Sequence, residues 1–244
     1  MKSNDNNPDP IGSPLRAYAS TLNLLARLAP KSVLDCPAGR GAFSKRLIDA
    51  GYDTTCCDIE PAAFEVSGLE SDFGDMNKAL PYEDARFDAI TCLNGLQRVW
   101  ARGRAIREFE RVLKPGGHVI LTFVNNANLI HRLSYFMSGS VIHNTVGPPY
   151  VCDPEAEEPA SSYRYPMTIA HVASAVKSVG LEWSGMETVG LSKASLLLAP
   201  LAPLPMVTRF LAPARYRNAC FMEQSSSPAN LFGDYLLVWA RKPG

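Results

Sequence analysis

From residue 33 to residue 124 the chain alternates short strand-like runs with helix-like ones, and that rhythm restricts the fold more than any other feature. "SVLDC" reads as a buried strand, "GAFSKRLIDAG" as a helix closed by Gly51, and "YDTTCCD" as a second strand rich in residues that suit a sheet. "FEVSGLESDFGD" is read as a helical turn and a third strand, and "FDAITCLNG" as a fourth. "RAIREFERVLKPGG" is a helix with a glycine stop, and "HVILTFV" a fifth strand. Strands that alternate with helices pair in parallel, and the helices then cover both faces of the sheet. An α/β fold is therefore expected.

Upstream, "LRAYASTLNLLARLAP" sets Leu15, Tyr18, Leu22, Leu25 and Leu28 on one side of a helix that Pro30 ends. Downstream the rhythm breaks. Residues 125 to 165 read as irregular, "PMTIAHVASAVKSVG" as a helix, "LEWSGMETV" as a strand and "DYLLVWARK" as a final strand. Residues 1–13 are expected to be a flexible polar leader. Residues 14–244 are expected to form a single domain, with insertions at about 125–165 and 191–232 forming a substrate cap.

Composition narrows the class. Lys and Arg number 24, Asp and Glu also 24, so no general electrostatic footprint for nucleic acid is present. No apolar run is long enough to span a bilayer. Cys36, Cys56, Cys57, Cys92, Cys152 and Cys220 lack metal-type spacing and fit small buried thiols in a reducing cytoplasm.

The chemistry is concentrated in "DCPAGRGAF", residues 35 to 43. In an open parallel sheet, ligands gather at the carboxyl ends of the strands. Gly39 and Gly41 remove side chains where a ligand could approach the backbone, and the helix after them offers free N–H groups. Pro37 has a fixed negative φ and no N–H to donate. A dinucleotide fingerprint would set its third glycine where Ser44 stands, which weakens a nicotinamide site.

Four blocks, "SVLDCPAGRGAFSKRL", "GYDTTCCDIEP", "GDMNKALPYEDARFDAITCLNGLQRV" and "EFERVLKPGGHVILTF", follow the order of the class I S-adenosylmethionine-dependent methyltransferases, which the chain resembles over roughly residues 20 to 125. The resemblance implies a Rossmann-like open, mostly parallel seven-stranded sheet with an antiparallel last strand. It implies S-adenosyl-L-methionine as the cofactor. Asp35, Cys36 and Pro37, then Ala38, Gly39, Arg40 and Gly41, would form the cofactor loop, with Asp35 near the methionine end. Asp58, about 20 residues past the glycines, would accept from the ribose diol. Ile59 would pack on the adenine, and Asp75, with Met76 beside it, would accept from the adenine amino group. Asn94 would touch the cofactor.

In "CLNGLQRV" the chain departs from related O-methyltransferases, some of which bind a divalent metal through two glutamates and a histidine. Asn94, Gln97 and Arg98 stand there instead, a poor set for a hard cation, so no metal is expected. Arg98 is expected to lie exposed on a helix.

Methyl transfer to a hydroxyl needs a base, and His131 and His143, both in the irregular stretch after the fifth strand, are the candidates. Tyr163 and Tyr165 are candidates for the acceptor pocket, whereas structural roles are expected for His118 and His171. The acceptor is read as a small molecule, methylated on oxygen and sugar-, quinone- or lipid-linked. The proline-interrupted apolar segment 193–217 carries Arg209, Arg215 and Arg217 and is read as a lid, a subunit contact or a peripheral membrane contact. The protein is expected in the cytoplasm or at a membrane surface. An NAD(P)-dependent oxidoreductase and a catalytically silent binding subunit are the rival functions.

Overall fold

The computed structural model describes residues 14–138, 166–214 and 222–244. Its strands are Ser32–Asp35 (β1), Asp53–Asp58 (β2), Ser71–Phe73 (β3), Phe87–Leu93 (β4), Leu113–Val124 (β5), Glu182–Leu191 (β6) and Gly233–Arg241 (β7). They form one seven-stranded sheet in the order β3-β2-β1-β4-β5-β7-β6. β1, β2, β3, β4 and β5 pair in parallel, and β7 runs antiparallel to both its neighbours, β5 and β6. The chain leaves β1 for β2 and β3 on one side and returns to the other side of β1 with β4. A topological switch point is thereby created at the carboxyl end of β1.

The helices are Pro14–Leu28 (α1), Ala42–Asp49 (α2), Arg102–Val112 (α3), Leu129–Ser138 (α4), Ile169–Ser178 (α5), Lys193–Leu197 (α6), Pro203–Leu211 (α7), Met222–Ser225 (α8) and Pro228–Phe232 (α9). Successive strand residues point to opposite faces, so each face has its own core. On one, Leu34, Ile90 and Leu121 meet Ile106 and Phe109 of α3 and Val172 and Val176 of α5. On the other, Val33, Ala89 and Ile120 meet Leu24 and Leu25 of α1 and Phe43 and Leu47 of α2. Burial on both faces explains why these strands read as continuous apolar runs. α5 begins at Thr168, whose hydroxyl accepts from the backbone of His171 while the His171 ring accepts from the backbone of Thr168. His171 thus has the structural role expected of it.

Three local readings change. The inward stripe of α1 is Ala17, Thr21, Leu24 and Leu25, with Tyr18, Leu22 and Leu28 half-buried and Leu15 exposed. α3 ends at Val112, not at a glycine, because Leu113 already pairs with Phe87 as extended backbone. The stretch after β5 is not irregular throughout, since residues 129–138 form α4. The polar leader 1–13 and residues 139–165, which include His143, Cys152, Tyr163 and Tyr165, lie outside the described residues, as does Cys220. Among the described residues no helix is long and apolar enough to cross a membrane.

Candidate active site

The carboxyl ends of β1, β2 and β4 open into a crevice of about 680 Å³, located at the switch point. Its wall brings together Asp35, Pro37, Ala38, Gly39 and Arg40 from the first loop, Asp58 and Ile59 from the second, Asp75 and Met76 from the third, and Asn94 after β4. Four stretches separated by up to 59 positions in sequence thus converge on one space because parallel strands all deliver their carboxyl ends to the same edge.

The first loop is tied down by its own backbone. Ala38 N–H donates to Cys57 O at 2.9 Å, and Gly39 N–H donates to Asp58 Oδ2 at 2.7 Å. Asp58 Oδ1 accepts from Glu60 N–H at 2.9 Å, so this carboxylate clasps the loops after β1 and β2 together. A carboxylate has about four acceptor sites, so two remain for a ligand's hydroxyls. Gly39 has φ +56°, and a side chain there would meet nothing within 4 Å. That gap in the wall is open to a ligand.

Asp35 is buried, with Ser44 Oγ donating to Oδ2 at 2.7 Å and Thr91 Oγ1 to Oδ1 at 3.0 Å. Burial, opposed by these two donors and aided by the charge of Asp58, pushes its carboxyl up to about 7. Asp75 accepts from Asn77 N–H at 2.9 Å and from its Nδ2 at 3.0 Å, the geometry of a loop cap, and its Oδ2 lies 3.7 Å from Lys78 Nζ. Asn94 has φ +56°, donates its N–H to Thr122, and holds its buried Oδ1 at the crevice without a hydrogen-bond partner.

Residues 34–121 match the family model described as Methyltransferase domain. Over this stretch the chain is similar to methyltransferases. It is 38% identical over 96 residues to a demethylmenaquinone methyltransferase of Paenarthrobacter aurescens, covering 37% of this chain and 38% of that protein. It is 30% identical over 112 residues to a ubiquinone biosynthesis O-methyltransferase of Alkalilimnicola ehrlichii, covering 41% and 44%. The matches span less than half the length of these relatives. Among solved structures, the [4+2]-cyclase SpnF superposes with a TM-score of 0.57 at 20% identity, covering 99% of this chain and 85% of that one. This last likeness establishes the fold and leaves the reaction open.

Within the matched stretch, not every residue of the expected loop reaches the wall. Cys36 is fully buried beneath it; a hydrogen bond shared with Cys57, together with burial, holds its thiol well above the usual range. Cys56, Cys57 and Cys92 are buried as well. Gly41 faces inward, where a side chain would strike Val66 and Phe64. Arg98 corrects its expected place: it is half-buried in the 3-10 turn Leu96–Arg98 and lines the crevice. Gln97 turns away, its Oε1 accepting from Val124 N–H at 3.4 Å. His131 lies half-buried on α4 and is not among the residues that line the crevice.

Sequence reasoning missed Tyr18, Phe43 and Asn77. Tyr18 reaches the wall from α1 and packs on Phe43 with ring centroids 5.1 Å apart. No local motif marks it, since a tyrosine on an amphipathic helix reads as core. Asn77 Oδ1 accepts from Trp100 N–H at 3.2 Å and Ala101 N–H at 3.1 Å, fastening the third loop to the start of α3. Its position two residues past Asp75 was the available signal. Gly95 was missed too: a side chain there would sit 2.1 Å from Pro37 Cδ, so the proline that replaces a loop glycine rests directly on a glycine of the fourth loop.

Proposed function

We propose that the protein is an S-adenosylmethionine-dependent methyltransferase acting on a quinone-type small molecule. The observation that carries the reading is the crevice itself, where Asp35, Asp58, Asp75, Gly39 and Asn94 converge inside the stretch that matches the methyltransferase family. The residues present fit the cofactor on two counts: the open space at Gly39 and the unpartnered buried Oδ1 of Asn94. Relatives whose names specify demethylmenaquinone or ubiquinone biosynthesis supply the acceptor class; their names divide between oxygen and carbon as the receiving atom.

Bound S-adenosylmethionine supplies a methyl group on a positively charged sulfur, so the protein mainly aligns an acceptor and excludes water. The free acceptor sites of Asp58 suit the ribose hydroxyls. Ile59 and Met76 offer apolar cover for the adenine, and Asp75 Oδ2 an acceptor for its amino group. Asp35, buried and close to half-ionised at neutral pH, is matched to a cationic group, whose arrival draws the carboxyl into its charged form. Arg40, Pro37 and Ala38 complete the loop side of the wall. For a hydroxyl acceptor, His131 is the proposed proton acceptor, with His143 the second candidate. We also place the protein in the cytoplasm, and read residues 125–165 and 191–232 as a substrate cap on a single domain spanning 14–244.

Titration calorimetry with S-adenosylhomocysteine and with NADH tests the cofactor; micromolar affinity for NADH alone reverses the reading. Incubation with methyl-labelled cofactor and a demethylated quinone tests the reaction, with label in the quinone as the expected result. Transfer to an unrelated compound in a cell extract, with none to the quinone, overturns the acceptor class. His131→Gln is expected to lower kcat about a hundredfold with cofactor affinity unchanged if it is the base.

A further inference from the structure

Building on the methyl transfer proposed above, we infer that Arg132, with the amides of Asn126 and Asn230, seats an acidic group of the acceptor, a hydroxylated aromatic acid. Arg132 lies half-buried on α4. Its Nε donates to Ala127 O at 2.6 Å and its Nη2 to Ser225 O, both neutral carbonyls. Among the described residues no carboxylate pairs with it, and desolvation holds the guanidinium below its usual range. The acids of neighbouring elements are placed otherwise: Ser192 donates to the Asp234 carboxyl, and Glu223 of α8 is exposed. No aspartate or glutamate occurs from residue 111 to 152, so neither α4 nor the loop before it supplies a counter-charge. The remaining N–H groups of the fork are left for an anion.

Two incomplete amides accompany that cation. Asn230 Nδ2 donates to Ser225 O at 2.9 Å and to Ala127 O at 3.5 Å, the same two carbonyls that hold Arg132. Guanidinium and amide are therefore neighbours, and Asn230 Oδ1 stays buried without a partner. Asn126 directly precedes Ala127 and is 6% exposed, with neither Oδ1 nor Nδ2 bonded. An oxyanion suits the guanidinium, which can hold a carboxylate through two parallel bonds. Hydroxyl donors suit the amide oxygens. A ring that carries both groups completes the set. A reduced quinone is a hydroxylated ring, and the seat adds the acid.

Sheet order sets this seat on the acceptor's side. Asp75 follows β3 and Asp58 ends β2, where adenosine is proposed to lie; Asp35 and Asn94, toward the methionine end, belong to β1 and the turn after β4. β5 is next in the sheet, and its last residue, Val124, donates its N–H to Gln97 of the loop after β4. The loop with Asn126 thus leaves the sheet beside the crevice. Arg132, Asn126 and Asn230 are not among the residues that line it, so the seat adds to the cofactor's space without sharing it.

Titration calorimetry of the full chain tests the seat with protocatechuate, a dihydroxylated benzoate, and catechol, which lacks the carboxylate, each with and without S-adenosylhomocysteine. The wild type is expected to bind the acid at least about tenfold more tightly. Arg132→Gln is expected to erase that preference, and Arg132→Lys to keep part of it, because the charge survives and the fork does not. Asn126→Asp, which breaks no hydrogen bond of the fold, is expected to weaken the acid about tenfold and leave catechol unchanged. Unchanged thermal midpoints verify the folds. Equal affinity for the two compounds, or binding of neither, overturns the proposal. A preference that survives Arg132→Gln or Asn126→Asp overturns it too, as does tighter binding of inorganic phosphate than of the acid. The two readings fail separately. Loss of discrimination while S-adenosylhomocysteine binds removes the seat alone; discrimination without S-adenosylhomocysteine binding removes methyl transfer and leaves the seat.

Discussion

At the crevice, Asp35, Asp58, Asp75 and Asn77 each take part in at least two hydrogen bonds. Beyond β5 the pattern is reversed. Asn126 is buried with neither amide atom partnered, while α7 leaves its leucines and phenylalanine exposed. The first region bonds its carboxylates and leaves Asn94 Oδ1 unpartnered at the space a ligand would fill. The second carries costs that its own contacts do not offset, a buried amide on one side and exposed apolar surface on the other. The rim of the sheet thus converges on one space, whereas the described part of the region after β5 keeps polar and apolar groups without cover.

The largest test of that contrast is Asp58→Ala. It removes the proposed acceptor for two ligand hydroxyls and orphans the N–H groups of Gly39 and Glu60. Each hydrogen bond to a charged group contributes about 1.5–3 kcal/mol, so affinity for S-adenosylhomocysteine is expected to fall about a thousandfold. Calorimetry measures it. A fall of less than tenfold means that the clasp between the loops is all Asp58 provides, and the ribose role is then wrong.

Asp35 gives the next effect, through pH. Its carboxyl titrates at about 7 in the fold and near 4 in an unfolded chain. Between those values the folded state binds a proton that the unfolded state lacks, so stability falls as pH rises from about 4 to about 7 and is level above. The span corresponds to on the order of 4 kcal/mol. A cationic ligand favours the ionised form, so its affinity is expected to climb up to about tenfold per pH unit toward pH 7 and then level. Asp35→Asn should flatten both profiles, more stable at pH 8 and poorer at binding. A pH-independent affinity in the wild type would show that no cation comes near Asp35.

How much of this was legible in the sequence follows the same division. The alternation of strands and helices and the blocks around "DCPAGRG" and "GDMN" located the sheet and most of the wall, because the tight turns and chain reversals there depend on residues adjacent in sequence. What escaped depends on contacts across the fold. Gly95 looks like an ordinary turn residue until Pro37, 58 positions earlier, is found resting on it. Arg98 reads as a solvated charge until the 3-10 turn Leu96–Arg98 carries it to the crevice. Beyond β5 the apolar character of 193–217 was visible, but not that α7 would leave Leu204, Met206, Val207, Phe210 and Leu211 exposed, since periodicity reports which residues share a side and not what covers it.

Gly95→Ala sharpens the account of the rim. The added carbon would lie 2.1 Å from Pro37 Cδ and 2.6 Å from Pro37 Cγ, and 2.9 Å from Cys92 Sγ. Overpacking of this kind costs about 1–3 kcal/mol, so the thermal midpoint is expected to drop by about 5 °C. Pro37→Ala in the same chain should recover part of the loss, which a double-mutant cycle measures. Strict additivity would show that the two loops do not rest on each other.

The smallest expected effect belongs to the other region. Asn126 is 6% exposed, and neither Oδ1 nor Nδ2 has a hydrogen-bond partner, although Asn125, Asn128 and Asn230 beside it are bonded to backbone groups. Replacing it with leucine, of similar size, removes an unsatisfied amide and should raise stability by about 1 kcal/mol, a gain of about 3 °C. If the amide is kept for the acceptor, the same variant loses kcat/KM for the methyl acceptor while S-adenosylhomocysteine binds as before. A stability gain with no loss of turnover would instead make Asn126 an idle cost. A stability loss would mean that the region is as self-sufficient as the rim, and the contrast between them would fail.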